Sequence, residues 1–152
     1  MVPQRIEREI LIDAPVEVVW AVVTEPEHIS GWLSETVELD LRPGGEAVLH
    51  WSEHGTVHAR VERVEPPHVF SFRWVVHPGP DLAEDNSTLV EFSLTAEGDR
   101  TRLTVVESGF RDLAGRDDDK QRHFDNHRGG WELELGELDE YLGKRTRTPA
   151  DR

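Results

Sequence analysis

From Asp119 to Leu142, the residues Phe124, His127, Trp131, Leu135, Leu138 and Leu142 recur at spacings of three and four. That is one stripe of an α-helix. The positions between them are largely charged, including Arg122, Asp125, Arg128, Glu132, Glu134, Glu137, Asp139 and Glu140. Such a helix should lie on an apolar surface and turn a wet back to solvent. Gly129, Gly130 and Gly136 interrupt it. Each costs about 1 kcal/mol relative to Ala in a helix interior, so close packing or free space beside the helix is expected in return. Asp117, Asp118 and Asp119 suit the positive end of the helix dipole.

Upstream, the pattern predicts a strand, two short helices and six more strands. Ile6, Ile10 and Ile12 share one strand face, with Arg8 interrupting it and Glu7 and Glu9 opposite. Pro15 suits the first turn of a short helix carrying Val16, Val19, Trp20 and Val23. Thr24-Glu25-Pro26-Glu27 has capping-box spacing for a second, carrying Ile29 and Trp32. The period then shortens to two. Val37, Leu39 and Leu41, then Ala47, Leu49 and Trp51, then Val57, Ala59 and Val61 alternate with polar residues between Gly- and Pro-rich turns. Phe70, Phe72 and Trp74 mark the most aromatic strand, followed by Val90, Phe92 and Leu94, and by Leu103, Val105 and Glu107. The stretch from His77 to Ser87 reads as a long polar loop, a candidate mobile rim. Consecutive hairpins imply an antiparallel sheet with one face covered. The fold class is therefore α+β, a single domain over 1–143, with a sheet curling around the last helix and enclosing a space. Residues 144–152, KRTRTPADR, are expected to form a disordered tail.

Charge narrows the partners. The formal net charge is −14, which repels phosphate backbones and anionic headgroups, so no nucleic acid and no membrane insertion are expected. There is no Cys, which removes thiolate chemistry and disulfides and suits a cytoplasmic location. No apolar run is long enough for a membrane span or a secretory h-region. A homodimer through an edge strand is the self-association the pattern allows.

The candidate chemistry lies on the inward positions. Trp51, Phe70, Phe72, Trp74, Phe92, Trp131 and Leu135 can line a pocket for a flat or acyl ligand, or simply fill the core. Glu107 continues the inward register of its strand, and His127 continues the helix stripe. Together they form an acid/base or ligand-orienting pair; apart, Glu107 sits at a frayed strand end and His127 bonds locally. His123 and His127 are four apart on the helix, and His50 and His58 flank a hairpin, but neither pair has an identifiable third ligand. No metal and no cofactor are expected. The chain has no GxSxG, P-loop or GxGxxG motif.

The stretches IDAPVEVVWAVVTEPEHISGW, DLRPGGEAVLHW, VERVEPPHVFSFRW, LVEFSL, TRLTVVESGF and GGWELELGELDEYL, in this order and spacing, resemble the Hsp90-ATPase-activator-homologue-like group of the START-like, helix-grip superfamily. The resemblance runs from about Ile6 to Leu142. It implies a curved antiparallel sheet around the C-terminal helix, with a hydrophobic cavity between them. It also implies binding of a small hydrophobic molecule, a lipid or an aromatic; from the inward residue pattern, Trp74, Phe72, Trp131 and His127 are the preferred contacts. The alternatives it carries are a cyclase- or dehydratase-like enzyme using Glu107 and His127, and a co-chaperone-like interaction domain. Contact with an Hsp90-type chaperone is not expected, because no stretch here resembles the additional N-terminal domain of the eukaryotic co-chaperone. Trp32-Leu33 stands where many members of the group carry a Trp pair.

Overall fold

The alternating segments pair into one antiparallel sheet. In a computed structural model that describes residues 2–146, the strands are β1 (Arg5–Ile12), β2 (Thr36–Leu39), β3 (Glu46–Trp51), β4 (Gly55–Glu65), β5 (Val69–Val75), β6 (Ser87–Glu97) and β7 (Arg100–Ser108). Their order is β1-β7-β6-β5-β4-β3-β2. The hairpin succession is thus a meander, and the first strand returns to the outer edge of the last. Register keeps the apolar positions on one face: Phe70 lies opposite Phe92, Phe72 opposite Val90, and Val105 opposite Phe92. A one-residue slip would turn all of these outward, so burial of this face holds the register.

The concave face is covered by helices α1 (Val16–Thr24), α2 (Pro26–Ile29) and α3 (Asp117–Thr146). This is a helix-grip fold. Phe124, Trp131, Leu135, Leu138 and Leu142 of α3 are all buried, while Glu132, Glu137 and Asp139 remain exposed. The stripe read from the sequence is therefore the buried face. Arg8, the residue that breaks the apolar face of β1, reaches across to the helix, with Nη2 3.3 Å from Glu132 Oε1.

Several local expectations change. Pro15 is the N-cap of α1, with extended backbone, and not its first helical residue. No capping box forms at α2: Thr24 Oγ1 instead donates back to the Trp20 carbonyl, and Pro26 at the first turn needs no N–H partner. Trp32 lies in the turn after α2, where its indole N–H donates to the Val22 carbonyl at 3.0 Å. The loop from His77 to Ser87 contains a short helical turn, Glu84–Asn86, and is tied to itself: Asn86 Nδ2 donates to the Asp81 carbonyl and Ser87 Oγ to the Ala83 carbonyl. α3 continues to Thr146, into the stretch expected to be a disordered tail, since Lys and Arg are good helix formers. The rest of that tail, 147–152, lies outside the described residues. Among the described residues, no helix is long and apolar enough to cross a membrane.

The α3 glycines are explained by space, not by close packing. A Cβ added at Gly129, Gly130 or Gly136 would meet nothing within 4 Å. Gly31 is the opposite case: a Cβ there would collide with the ring of Tyr141, which hydrogen-bonds to His28 Nδ1 at 2.8 Å and so joins α3 to α2. The exposed pair Gly129→Ala and Gly136→Ala should therefore stabilise the fold by about 1–2 kcal/mol together, read as a raised midpoint in urea unfolding with an unchanged slope.

Candidate functional site

The chemistry collects where the inward register of β7 meets the stripe of α3. Glu107 is the fourth inward residue of β7, after Thr101, Leu103 and Val105, and it is fully buried. A carboxylate taken out of water needs donors, and four side chains supply them. Its Oε2 accepts from Trp74 Nε1 at 2.9 Å, Thr88 Oγ1 at 2.5 Å and His127 Nδ1 at 2.7 Å, and its Oε1 accepts from Trp131 Nε1 at 2.8 Å. These donors come from β5, β6 and α3.

The second nitrogen of His127 is also engaged, with Nε2 3.1 Å from the Val76 carbonyl oxygen. Both ring nitrogens thus face acceptors, which only the doubly protonated imidazolium satisfies. Burial pulls the His127 pKa down, but the Glu107 charge, its hydrogen bond and the Val76 carbonyl outweigh burial and raise it above the ordinary imidazole value. Burial pushes Glu107 up; the His127 charge and the hydrogen bonds from His127, Thr88 and Trp74 overcome this and hold it below the usual carboxylate range. Edge-on rings of Phe110 and Trp74 enclose the imidazolium, with centroids 5.7 and 5.9 Å away. His123 does not join this pair. It stacks on His77 at 5.7 Å, and burial followed by the charges of His127 and His77 lowers its pKa.

Beside the pair lies a cavity of about 460 Å³. α3 contributes Asn126, His127, Gly130, Trp131 and Glu134 to its wall; Trp74, Val75, Val76 and Pro78 face it from the end of β5 and beyond. The β3–β4 hairpin adds Trp51, His54 and Val57, and Leu33 closes it. Trp74 and Trp131 are stacked, 5.8 Å between centroids with 26° between planes. Trp51 turns its N–H to the Leu33 carbonyl at 3.0 Å, leaving its ring to the wall.

Of the residues proposed from the sequence, Trp51, Trp74, His127 and Trp131 meet on this cavity. Phe70, Phe72 and Phe92 do not. They stack with one another in the core around a void of only about 20 Å³. Leu135 is buried under α3, on the side of β1. Glu107 stands behind the wall, and it and His127 are bonded to each other; although Glu107 is the penultimate residue of β7, it is not frayed, because Ile6 of β1 and Val90 of β6 pair with it on either side. His50 bonds Thr56, and His58 lies opposite Val48, so these histidines do not face each other.

Thr88 and Glu134 are among the site residues that the sequence pattern does not single out. Thr88 is a polar residue in the inward register of Val90, Phe92 and Leu94, a signal hidden by its place beside the polar loop. Glu134 was read with the wet face, yet it lies seven residues after His127 and so shares its side of the helix. Burial, and then the neighbouring Glu137 charge, pushes Glu134 up to about 7.

A curved sheet gripping a long helix, with a cavity walled by tryptophans between them, defines a helix-grip domain of the START-like kind. The chain belongs to the family of activator of Hsp90 ATPase homolog 1-like proteins, whose model matches residues 13–143. A comparison with curated proteins finds no match. Among solved structures, the chain is similar to protein MLL2253 from Mesorhizobium loti, with 26% identity, a TM-score of 0.77, and 92% of this chain and 97% of that one covered. It is similar in fold to DynU16, a protein of the dynemicin biosynthetic locus, with 24% identity, a TM-score of 0.74 and 93% of this chain covered. It spans about half of that protein, 48% of its length. An HSP90 activator from Plasmodium falciparum has the same fold, with 18% identity, a TM-score of 0.73, and coverage of 93% and 97%.

Removing the carboxylate leaves two indole N–H groups, a hydroxyl and the Nδ1–H of His127 without their acceptor. Glu107→Ala should cost about 3–5 kcal/mol in denaturant unfolding, the magnitude expected when one partner of a buried ion pair is deleted. The pH dependence separates the two partners. The raised pKa of His127 contributes stability below the ordinary imidazole value and loses it as pH rises through the folded value. The lowered pKa of Glu107 contributes above the ordinary carboxylate value and loses it as pH falls. The destabilisation by His127→Gln should accordingly be greatest between pH 4.5 and 6.5, the two ordinary values, and shrink on the alkaline side, as checked by urea titrations across pH.

Proposed function

We propose that this protein binds a small hydrophobic molecule, flat enough to lie on tryptophan rings, in the cavity between the sheet and α3. The carrying observation is the coincidence of a cavity of about 460 Å³ with the stacked Trp74 and Trp131 and a helix glycine, Gly130, that leaves open space at the wall. Pockets of this size, mainly apolar with a few polar groups, are typical of small-molecule sites. A glycine held at that position against its helix penalty also fits a wall that must stay recessed.

An enzymatic role for Glu107 and His127 finds less support. Glu107 has no exposure and already accepts from four side chains, and both nitrogens of His127 are engaged. Neither offers a free proton site to a substrate in the cavity. A chaperone-docking role has the family's name behind it and the Plasmodium activator's fold. Against it, the exposed large apolar residues Leu11, Val18, Leu41 and Leu133 are scattered over β1, α1, the β2–β3 turn and α3, and docking commonly uses a contiguous patch.

Native mass spectrometry of freshly purified protein, followed by a thermal-shift screen of fatty acids, flat aromatics and polyketide-like compounds, tests the reading. A bound mass, or a compound that raises the melting temperature, is expected. Gly130→Leu should abolish it by filling the cavity while leaving the Glu107 bonds intact. No bound mass and no shift in any class would defeat the ligand-binding reading for those classes.

A further inference from the structure

Four of the groups on the cavity wall are polar or ionisable side chains: His54, Asn126, His127 and Glu134. His127 is committed to Glu107. Glu134 is different. Its Oε2 is buried and has no hydrogen-bond partner among the described residues, the one such side-chain atom there. Leaving a buried acceptor without a donor is unfavourable, and more so when it is charged. Glu107, the one fully buried carboxylate among the described residues, is met by four donors, whereas the half-buried Glu134 has none on its buried oxygen. The contrast marks Glu134 as a group whose partner comes from outside the chain.

We propose that Glu134 is the recognition residue of this cavity, and that the molecule bound there joins a flat apolar body to a protonated amine held by the Glu134 carboxylate. The proposal rests on the ligand-binding reading above and narrows it to a chemical class. A hydroxyl could also donate to the carboxylate, but the charge around the site selects the cation. Among the described residues, no Lys or Arg lines the cavity. On α3, Glu137 lies one turn beyond Glu134; in the segment before β2, Glu35 lines the adjoining cleft with Glu134 and Trp51. Facing them, His54 stands in the β3–β4 turn, and the charge of His127 is already met by Glu107. A carboxylate ligand would enter against Glu134 and Glu137; an ammonium would relieve their repulsion. Trp51, Trp74 and Trp131 line the same wall, and aromatic rings attract cations as well as flat apolar groups.

The same side chain makes the recognition pH-sensitive. Glu134 is raised to about 7 by burial and Glu137, so it carries its full charge only above that value. An amine should therefore bind more tightly as pH rises from 6 to 8, while an alcohol of the same shape should show no such gain.

Isothermal titration of the full chain with three probes of one shape, 2-naphthylmethylamine, 2-naphthylmethanol and 2-naphthoate, at both pH values provides the test. The amine should bind about ten-fold or more tightly than the alcohol at pH 8, the difference a charge-assisted hydrogen bond supplies, with naphthoate weakest. Glu134→Gln should bring the amine to the level of the alcohol and remove the pH effect; Glu137→Gln should leave the amine preference in place. Equal binding of amine and alcohol by the wild type would overturn the proposal and leave the cavity reading standing. So would an amine preference that survives Glu134→Gln. Failure of all three probes to bind would overturn the proposal, while the mass-spectrometry and thermal-shift screen above decides the cavity reading separately. The comparison within the wild type keeps the test decisive even if a variant folds poorly.

Discussion

The rest of this fold depends on one buried carboxylate. Glu107 has no exposure to water, and an ion in that position persists only where its lone pairs are met. The donors arrive from Trp74 on β5, Thr88 on β6, and His127 and Trp131 on α3, so a single side chain ties three neighbouring strands to the helix lying across them. Apolar burial alone is tolerant of small rotations of a helix on a sheet, because it has no direction. Hydrogen bonds to fixed oxygens are not tolerant. The rotation of α3 and its placement along the sheet follow from where its indole and imidazole must reach.

The cavity is a consequence of the same arrangement. Trp74 and Trp131 both donate to Glu107, one to each oxygen, and this holds their rings nearly parallel. Indoles pinned by their N–H groups cannot collapse into the space beside them. The phenyl rings of Phe70, Phe72 and Phe92 have no such tether and pack against one another, leaving almost nothing empty. Polar anchoring of the large side chains thus preserves open volume at one end of the barrel-like interior, and plain apolar packing closes the other. Gly130 extends the recess by withholding a side chain from the helix face that borders it.

These differences explain which features could be read from the sequence. The strands and the long helix announced themselves because each repeats one spacing over many residues: Phe70, Phe72 and Trp74 at two, Phe124 through Leu142 at three and four. That Glu107 and His127 belong to inward-facing rows was equally plain. Their contact was not, since it depends on how far along β7 the helix sits, a tertiary quantity that no local period carries. The division of the aromatic residues into wall and core was hidden for the same reason. Phe72 and Trp74 are chemically alike and adjacent in register, and only the hydrogen bond to Glu107 separates their roles. The capping expectation at Thr24 failed through a local competition, since a hydroxyl can bond backward to the carbonyl four residues earlier as readily as it can cap the next turn.

Perturbed ionisable groups often mark catalytic centres, but the direction of the perturbation matters as much as its presence. A general acid or base works best when its pKa sits near the working pH, with the proton free to leave or arrive. Glu107 is driven below the carboxylate range and His127 above the imidazole value, so each is locked more firmly in its charged form by the other. That is the behaviour of a structural ion pair. Glu134 moves the opposite way for a carboxylate, towards neutrality near pH 7, because burial and Glu137 oppose its charge and no donor compensates it. Of the two carboxylates, the one with every partner in place anchors the tryptophans of the wall, and the one with an unpartnered oxygen belongs to a residue that lines the cavity itself.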